Sequence, residues 1–182
     1  MRVITGKARG RRLQALEGVD VRPTTDRVKE AMFSIIQFEL EGRRVLDLFA
    51  GSGQLGIEAL SRDAHCATFV DQNRKSIAVI EENLKSTGLD KNTIVKNSDA
   101  LSFLTTTKDV FDIAFLDPPY HNNYIDRVLP LLCERMSQGG VIVCESQLDE
   151  DLPQEAGDFR IYKEYRHGKI KITIYRNSEV SD

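Results

Sequence analysis

The sequence predicts an α/β protein: a doubly wound, mostly parallel sheet of seven strands, with a C-terminal antiparallel hairpin and a small basic N-terminal extension. Three observations predict it. Short continuous apolar runs alternate with helical patterns through the middle of the chain, a glycine-rich turn joins the first run to its helix, and the last strands alternate apolar and polar residues. With 182 residues, 41% hydrophobic and 29% charged, the chain has material for one domain with a sizeable core. The expected organisation is a single domain over 1–182, with a basic arm at 1–22, a helix at 23–41 and a core at 42–182.

The elements follow in order. In "RPTTDRVKEAMFSIIQFEL", Val28, Ala31, Met32, Ile35, Ile36 and Leu40 fall on one helical face, and Pro23-Thr24-Thr25-Asp26 supplies the start. Strands are expected at Arg44 to Phe49, Cys66 to Val70, Thr93 to Lys96, Phe111 to Leu116 and Gly140 to Glu145. Helices are expected at Gln54 to Arg62, Arg74 to Ser86, Ala100 to Thr105 and Tyr124 to Met136. "FRIYKEYRHGKIKITIYR" alternates on both sides of His167-Gly168, the signature of a hairpin at the sheet edge.

Composition excludes several classes. No apolar stretch reaches the roughly 20 residues of a membrane helix. The opening "MRVITGKARGRR" is not followed by a signal-peptide core, so a cytoplasmic location is expected. Cys66, Cys133 and Cys144 are far apart and lack CxxC spacing, which predicts neither a disulfide framework nor a metal site. The net charge of −3 conceals an asymmetry: residues 1–44 hold ten basic and six acidic side chains, a net +4, leaving −7 for the rest. A basic arm on an acidic body predicts an anionic partner met at one end, or else a solvated face.

The glycine turn narrows the ligand. "VLDLFAGSGQLG" runs a strand into Gly51-x-Gly53-x-x-Gly56, and Asp71 follows Gly51 by twenty positions at the end of the next strand. That fits a nucleotide site with an acid for the ribose, for NAD and S-adenosylmethionine (SAM) alike. Asp47 separates the two, because a carboxylate at the strand tip repels a pyrophosphate and attracts the α-ammonium of SAM. Asp99, in "KNSDALSFL", suits an N-cap and equally an acceptor for the adenine amino group.

Asp117-Pro118-Pro119-Tyr120 ends the fourth expected strand, on the same carboxyl edge. The prolines fix φ and remove two donors, leaving an edge that accepts hydrogen bonds. If the Asp117 carboxylate and the Pro118 carbonyl each accept one N–H, a flat aromatic amine pyramidalises and aims its lone pair at a methyl donor. Tyr120 would stack on the base, a contact worth roughly 1–3 kcal/mol.

Taken in order, "DLFAGSGQLG", Asp71, "SDA" and "DPPY" resemble the motifs of class I SAM-dependent methyltransferases that act on amines. With "RVITGKARGRRL", "RPTTDRVKEAMFSII" and "LDLFAGSGQLGIEALSRDA", the chain resembles the bacterial small-subunit (16S) ribosomal RNA guanine-N2 methyltransferases from its start to the C-terminal hairpin. The resemblance implies a Rossmann-like core with SAM held by Asp47, Phe49, Gly51, Gly53, Asp71, Asp99 and Ala100. It also implies a target base held by Asp117, Pro118 and Tyr120, and RNA phosphates met by Arg9, Arg11, Arg12 and Arg22. The substrate would be rRNA, engaged within a small-subunit particle by a monomer. Gln54, Asp63 and the "YRHGK" turn depart from the family's usual residues. DPPY also serves adenine-N6 methylation of RNA or DNA, and a glycine loop of this kind also serves NAD-linked oxidoreductases.

Overall fold

Eight strands and five helices alternate along the chain in a computed structural model that describes residues 1–16, 25–119 and 123–177. The strands are β1 (Arg44–Asp47), β2 (Cys66–Asp71), β3 (Thr93–Asn97), β4 (Phe111–Leu116), β5 (Met136–Gln147), β6 (Glu155–Ala156), β7 (Phe159–His167) and β8 (Ile170–Asn177). The helices are α1 (Asp26–Ile35), α2 (Gln54–Ser61), α3 (Arg74–Thr87), α4 (Ala100–Thr106) and α5 (Tyr124–Cys133). All the strands share one sheet, in the order β3-β2-β1-β4-β5-β8-β7-β6. β1 to β5 pair in parallel, and β8, β7 and β6 add antiparallel pairs.

The order runs outward from β1 in both directions, so the switch point lies between β1 and β4. A crevice for a ligand forms there, at the carboxyl ends of the strands. Strand alternation divides the interior into two cores. Val45, Phe69, Phe115, Val143 and Ile174 pack with α1, α2 and α3 on one face. Leu46, Val70, Leu116, Cys144 and Tyr175 pack with α4 and α5 on the other. At the amino edge Asp112 ties three strands together: its carboxylate accepts from Arg44 Nε at 3.0 Å, Arg44 Nη2 at 2.9 Å and Ser137 Oγ at 2.8 Å. These bonds hold the Asp112 carboxyl well below the usual carboxylate range.

Expectation and structure differ at three places. The first helix stops at Ile35, because the chain turns back toward β1: Glu39 N–H bonds the Ile36 carbonyl at 2.9 Å, and Ile36 and Leu40 both stay in the core. The fifth helix stops at Cys133, and Met136 already pairs with Phe111, so β5 begins four residues before Gly140. A register shift between Phe111 and Ile113 absorbs the polar, glycine-containing Ser137–Gly140 stretch as an irregularity in the ladder. The two-residue β6 makes the sheet eight-stranded rather than seven.

Residues 1–16 are docked on the body. Arg2 and Arg12 form an antiparallel bridge, and Val3, Ala8 and Leu13 are buried against α2 and α3. The fastening is polar: Glu58 of α2 accepts the amides of Ile4 at 2.8 Å and Thr5 at 3.0 Å, and Ser61 Oγ accepts that of Ala8 at 3.0 Å. The same Glu58 meets Arg62 Nε at 2.9 Å and Lys29 Nζ at 3.7 Å. Lys29, fully buried, also donates to the Arg2 carbonyl at 2.6 Å, and burial lowers its pKa despite these partners.

Candidate active site

The site grows from the loop between β1 and α2. Gly51 and Gly53 take φ of +55° and +78°, backbone that side chains rarely adopt, and this swings the chain from the strand into the helix. A Cβ at Gly51 would meet nothing within 4 Å, so the loop has open space above it. Gly56 serves packing instead: a Cβ there would come within 2.3 Å of the Phe69 ring. That contact sets how closely α2 lies on the sheet.

Acids ring this loop. Asp47, at the tip of β1, is buried, and its Oδ2 accepts the Gly56 amide at 2.9 Å. Burial pushes its pKa up to about 7, the Gly56 amide opposes the rise, and the nearby Asp71 charge adds to it. Asp71, at the tip of β2, accepts the Gly51 amide at 2.9 Å and the Asn73 amide at 2.8 Å, so it braces the glycine loop from the side. Asp99 is the exposed N-cap of α4, accepting the Ser102 amide at 3.0 Å, and its bonds to Ser102 lower its pKa. Ala100 behind it is buried.

Strand register brings Asp71 and Asp117 to one level. Asp47 pairs with Phe69 on one side and Phe115 on the other, so Asp71 and Asp117 both stand two residues beyond that rung, flanking the β1 loop. Asp117 is half-buried, Pro118 is buried and Pro119 is exposed. A cavity of about 390 Å³ opens beside the prolines, between the start of α5 and the segment after β5. Pro118, Tyr124, Ile125 and Leu152 form its apolar wall, and Asp126, Asp149 and Asp151 lie on its rim. Phe49, half-buried, stands 5.7 Å from the Tyr124 ring at 56°, an aromatic corner joining the β1 loop to this cavity.

Tyr120 and Arg22 lie outside the described residues. The other sequence candidates separate into two groups. Asp47, Phe49, Gly51, Gly53, Asp71, Asp99, Ala100, Asp117 and Pro118 gather at the carboxyl edge. Arg9 and Arg11 do not join them. Their turn docks at the C-terminal ends of α2 and α3, where Lys7 N–H bonds the Ser61 carbonyl at 2.8 Å and Arg11 Nη1 donates to the Ser86 carbonyl at 3.0 Å. That is the amino edge of the sheet. Arg12 is exposed. Two residues escaped sequence reasoning: Tyr124, whose helical position concealed its ring contact, and Gln54, a buried side chain at the start of α2 whose Oε1 has no partner among the described residues.

A family model described as "Conserved hypothetical protein 95" matches residues 1–176. The chain belongs to this family. YlbH of Bacillus subtilis is 40% identical over 181 residues, covering 97% of this chain and 98% of its own. "Ribosomal RNA small subunit methyltransferase D" of Escherichia coli is 34% identical over 180 residues, covering 97% of this chain and 89% of its own. The solved structure of Escherichia coli yhhF superposes with a TM-score of 0.87 at 34% identity, over 97% of both chains. Among the described residues no helix is long and apolar enough to cross a membrane.

Proposed function

We propose that the protein is a SAM-dependent rRNA methyltransferase that modifies the exocyclic N2 of a guanine in small-subunit (16S) rRNA. The observation that supports the reading is the gathering, at one carboxyl edge of the sheet, of the Gly51–Gly53 loop, the buried Asp47 at its base and the Asp117-Pro118 edge of the neighbouring strand. Relatives at 34% identity, named as small-subunit rRNA methyltransferases, support the substrate class. Label from methyl-labelled SAM should appear on 16S rRNA as N2-methylguanosine by mass spectrometry. Label on an adenine N6, or on protein alone, would refute the assignment.

The residues present fit the cofactor. The open space over Gly51 admits a ligand against bare backbone, and Asp47, ionised, offers the α-ammonium a buried counter-charge. Asp71 retains acceptor capacity for a ribose hydroxyl after its two amide bonds, and Asp99 and the Ala100 backbone flank the adenine side. Phe49 supplies an apolar wall. When bound, SAM supplies a methyl on a positively charged sulfur, which the amine lone pair takes as the carbon–sulfur bond breaks.

The protein's own task is to prepare the amine. A guanine N2 is flattened by conjugation with its ring, and its lone pair points nowhere useful. Two acceptors on one side, the Asp117 carboxylate and the Pro118 carbonyl, take its two N–H bonds and turn the lone pair outward. Proline rings make that edge rigid, so little reorganisation remains for the transition state. Asp117 also offers a carboxylate to take the departing proton. Tyr120 stacks on the base in this reading, and Arg9, Arg12 and Arg22 meet phosphates away from the reacting nucleotide.

Asp47 makes the cofactor step pH-dependent in a specific direction. Its folded pKa of about 7 stands above the ordinary 3.8, so between roughly pH 4 and 7 the folded protein holds a proton that the unfolded chain has lost. Stability of the free protein therefore falls as pH rises through that window. Affinity for SAM moves the opposite way, weakening about tenfold per unit below pH 7 and levelling off above it. Calorimetry across this range checks the slope. Asp47→Asn should abolish it, weaken SAM about 100-fold at pH 8, and raise the thermal midpoint of the free protein there.

A further inference from the structure

The acidic body has a second basic region. From Phe159 to Asn177 the chain carries Arg160, Lys163, Arg166, Lys169, Lys171 and Arg176 against one acid, Glu164. Two of the six are occupied: Lys171 pairs with Glu164 at 3.2 Å, and Arg176 clasps Glu39 at 2.6 Å. Among the described residues Lys163 and Lys169 have no acidic partner, and both are exposed.

Pairing sorts the β7–β8 hairpin into two faces. Lys163 faces Ile174, Tyr165 faces Ile172 and His167 faces Ile170, and those isoleucines belong to the core shared with α1. Lys163, Tyr165 and His167 therefore lie on the α1 face, while Glu164 and Arg166 lie on the other. On the α1 face Lys163 Nζ sits 5.1 Å from the Tyr165 ring centre. The neighbouring Tyr162 is 52% exposed, with the Arg176 guanidinium 5.1 Å from its ring centre. Aromatic rings interleaved with cations suit single-stranded RNA, which offers flat bases and phosphates together.

The stripe ends where the proposed chemistry lies. Leu116 pairs with Cys144, Glu145 with Ile172, and Ile172 with Tyr165, so Asp117 and Tyr165 stand at one level of the sheet. Three strand spacings separate them, about 14 Å. The hairpin turn, with His167 and Lys169, projects beyond that level at the same carboxyl edge. The acidic rim of Asp126, Asp149 and Asp151 lies on the α5 face of the Asp117-Pro118 edge, where it repels phosphate. The segment carrying Asp149 and Asp151 bonds the hairpin on that face, where Lys171 Nζ donates to the Glu150 carbonyl at 2.8 Å.

We propose that the α1-facing side of the β7–β8 hairpin, through Lys163, Tyr165 and His167, together with Lys169 in its turn, is the track for the RNA strand flanking the target nucleotide. The inference rests on the rRNA methyltransferase reading and names the surface that reading lacks near its active site, since Arg9 and Arg11 lie at the other edge. The test is fluorescence anisotropy with an end-labelled fragment of 16S rRNA over a series of salt concentrations, with Lys163→Ala/Lys169→Ala beside wild type. Affinity should fall roughly tenfold, and the slope of log affinity against log salt should shrink by about 1.4. Lys163→Arg/Lys169→Arg should restore both, and calorimetric SAM affinity should stay at the wild-type value in every variant. An unchanged affinity and slope overturns the proposal, as does a loss that arginine fails to restore. Because binding is measured directly, a wild-type protein that bound this RNA along the hairpin yet methylated none would overturn the activity and leave the track standing.

Discussion

Asp117→Ala is expected to cut methyl transfer by about 10³-fold or more while calorimetric SAM affinity stays within about twofold of wild type. The size follows from the proposed role. An acceptor aimed at charge that develops in the transition state is worth about 10²–10³ in rate, and Asp117 would also take the leaving proton. Asp117→Asn should fall between wild type and alanine, because the amide oxygen still accepts one N–H but no longer serves as a base. Rate should move with little change in the KM for rRNA, since the hydrogen bonds matter most once the amine has pyramidalised. Asp71→Ala makes the contrasting control. It deletes the acceptor for the Gly51 and Asn73 amides, so the cofactor loop itself loosens and SAM affinity falls. Equal loss of SAM binding in both variants would overturn this division of roles.

Much of this arrangement was legible in the sequence, for a physical reason that also explains the gaps. Buried parallel strands must be continuously apolar, so the Phe111 to Leu116 run announced itself, and the acid or glycine ending each run marked the carboxyl edge. Asp99 was ambiguous by nature: it is an N-cap, and that leaves its role toward adenine open. Segments that owe their place to tertiary contacts gave no such signal. Residues 1–16 have neither helical nor strand periodicity, and their docking depends on a carboxylate more than fifty positions away. Arginines in that segment looked like a free arm; the turn that carries Arg9 and Arg11 is pinned to the ends of α2 and α3 instead. Lys29 falls outside the apolar helical face that the sequence marks, yet it is fully buried beside Val28 and Met32. Asp63, one of the departures from the family's residues, takes φ of +71° and pairs with Lys7 at 2.6 Å, so it trades backbone strain for a contact to the docked segment.

Glu58→Ala is expected to be the most destabilising single change, costing roughly 3–5 kcal/mol, a large part of the 5–15 kcal/mol that holds a domain of this kind together. Its carboxylate is fully buried and receives the Ile4 and Thr5 amides, the Arg62 guanidinium and the Lys29 ammonium. Alanine would leave two amides without acceptors and Lys29 charged in the core with only the Arg2 carbonyl and the more distant Asp26 to offset it. The measurable result is a lower urea midpoint and cleavage by trypsin at Arg9, Arg11 or Arg12, as residues 1–16 lift from α2. If the cost comes from an uncompensated charge, removing the charge should recover part of it. Lys29→Met in the Glu58→Ala background should therefore raise the midpoint above that of Glu58→Ala alone, although Lys29→Met in the wild-type background lowers it. Additive losses in the double variant would instead mean that packing, not the buried ion network, fastens the N-terminal segment to the catalytic body.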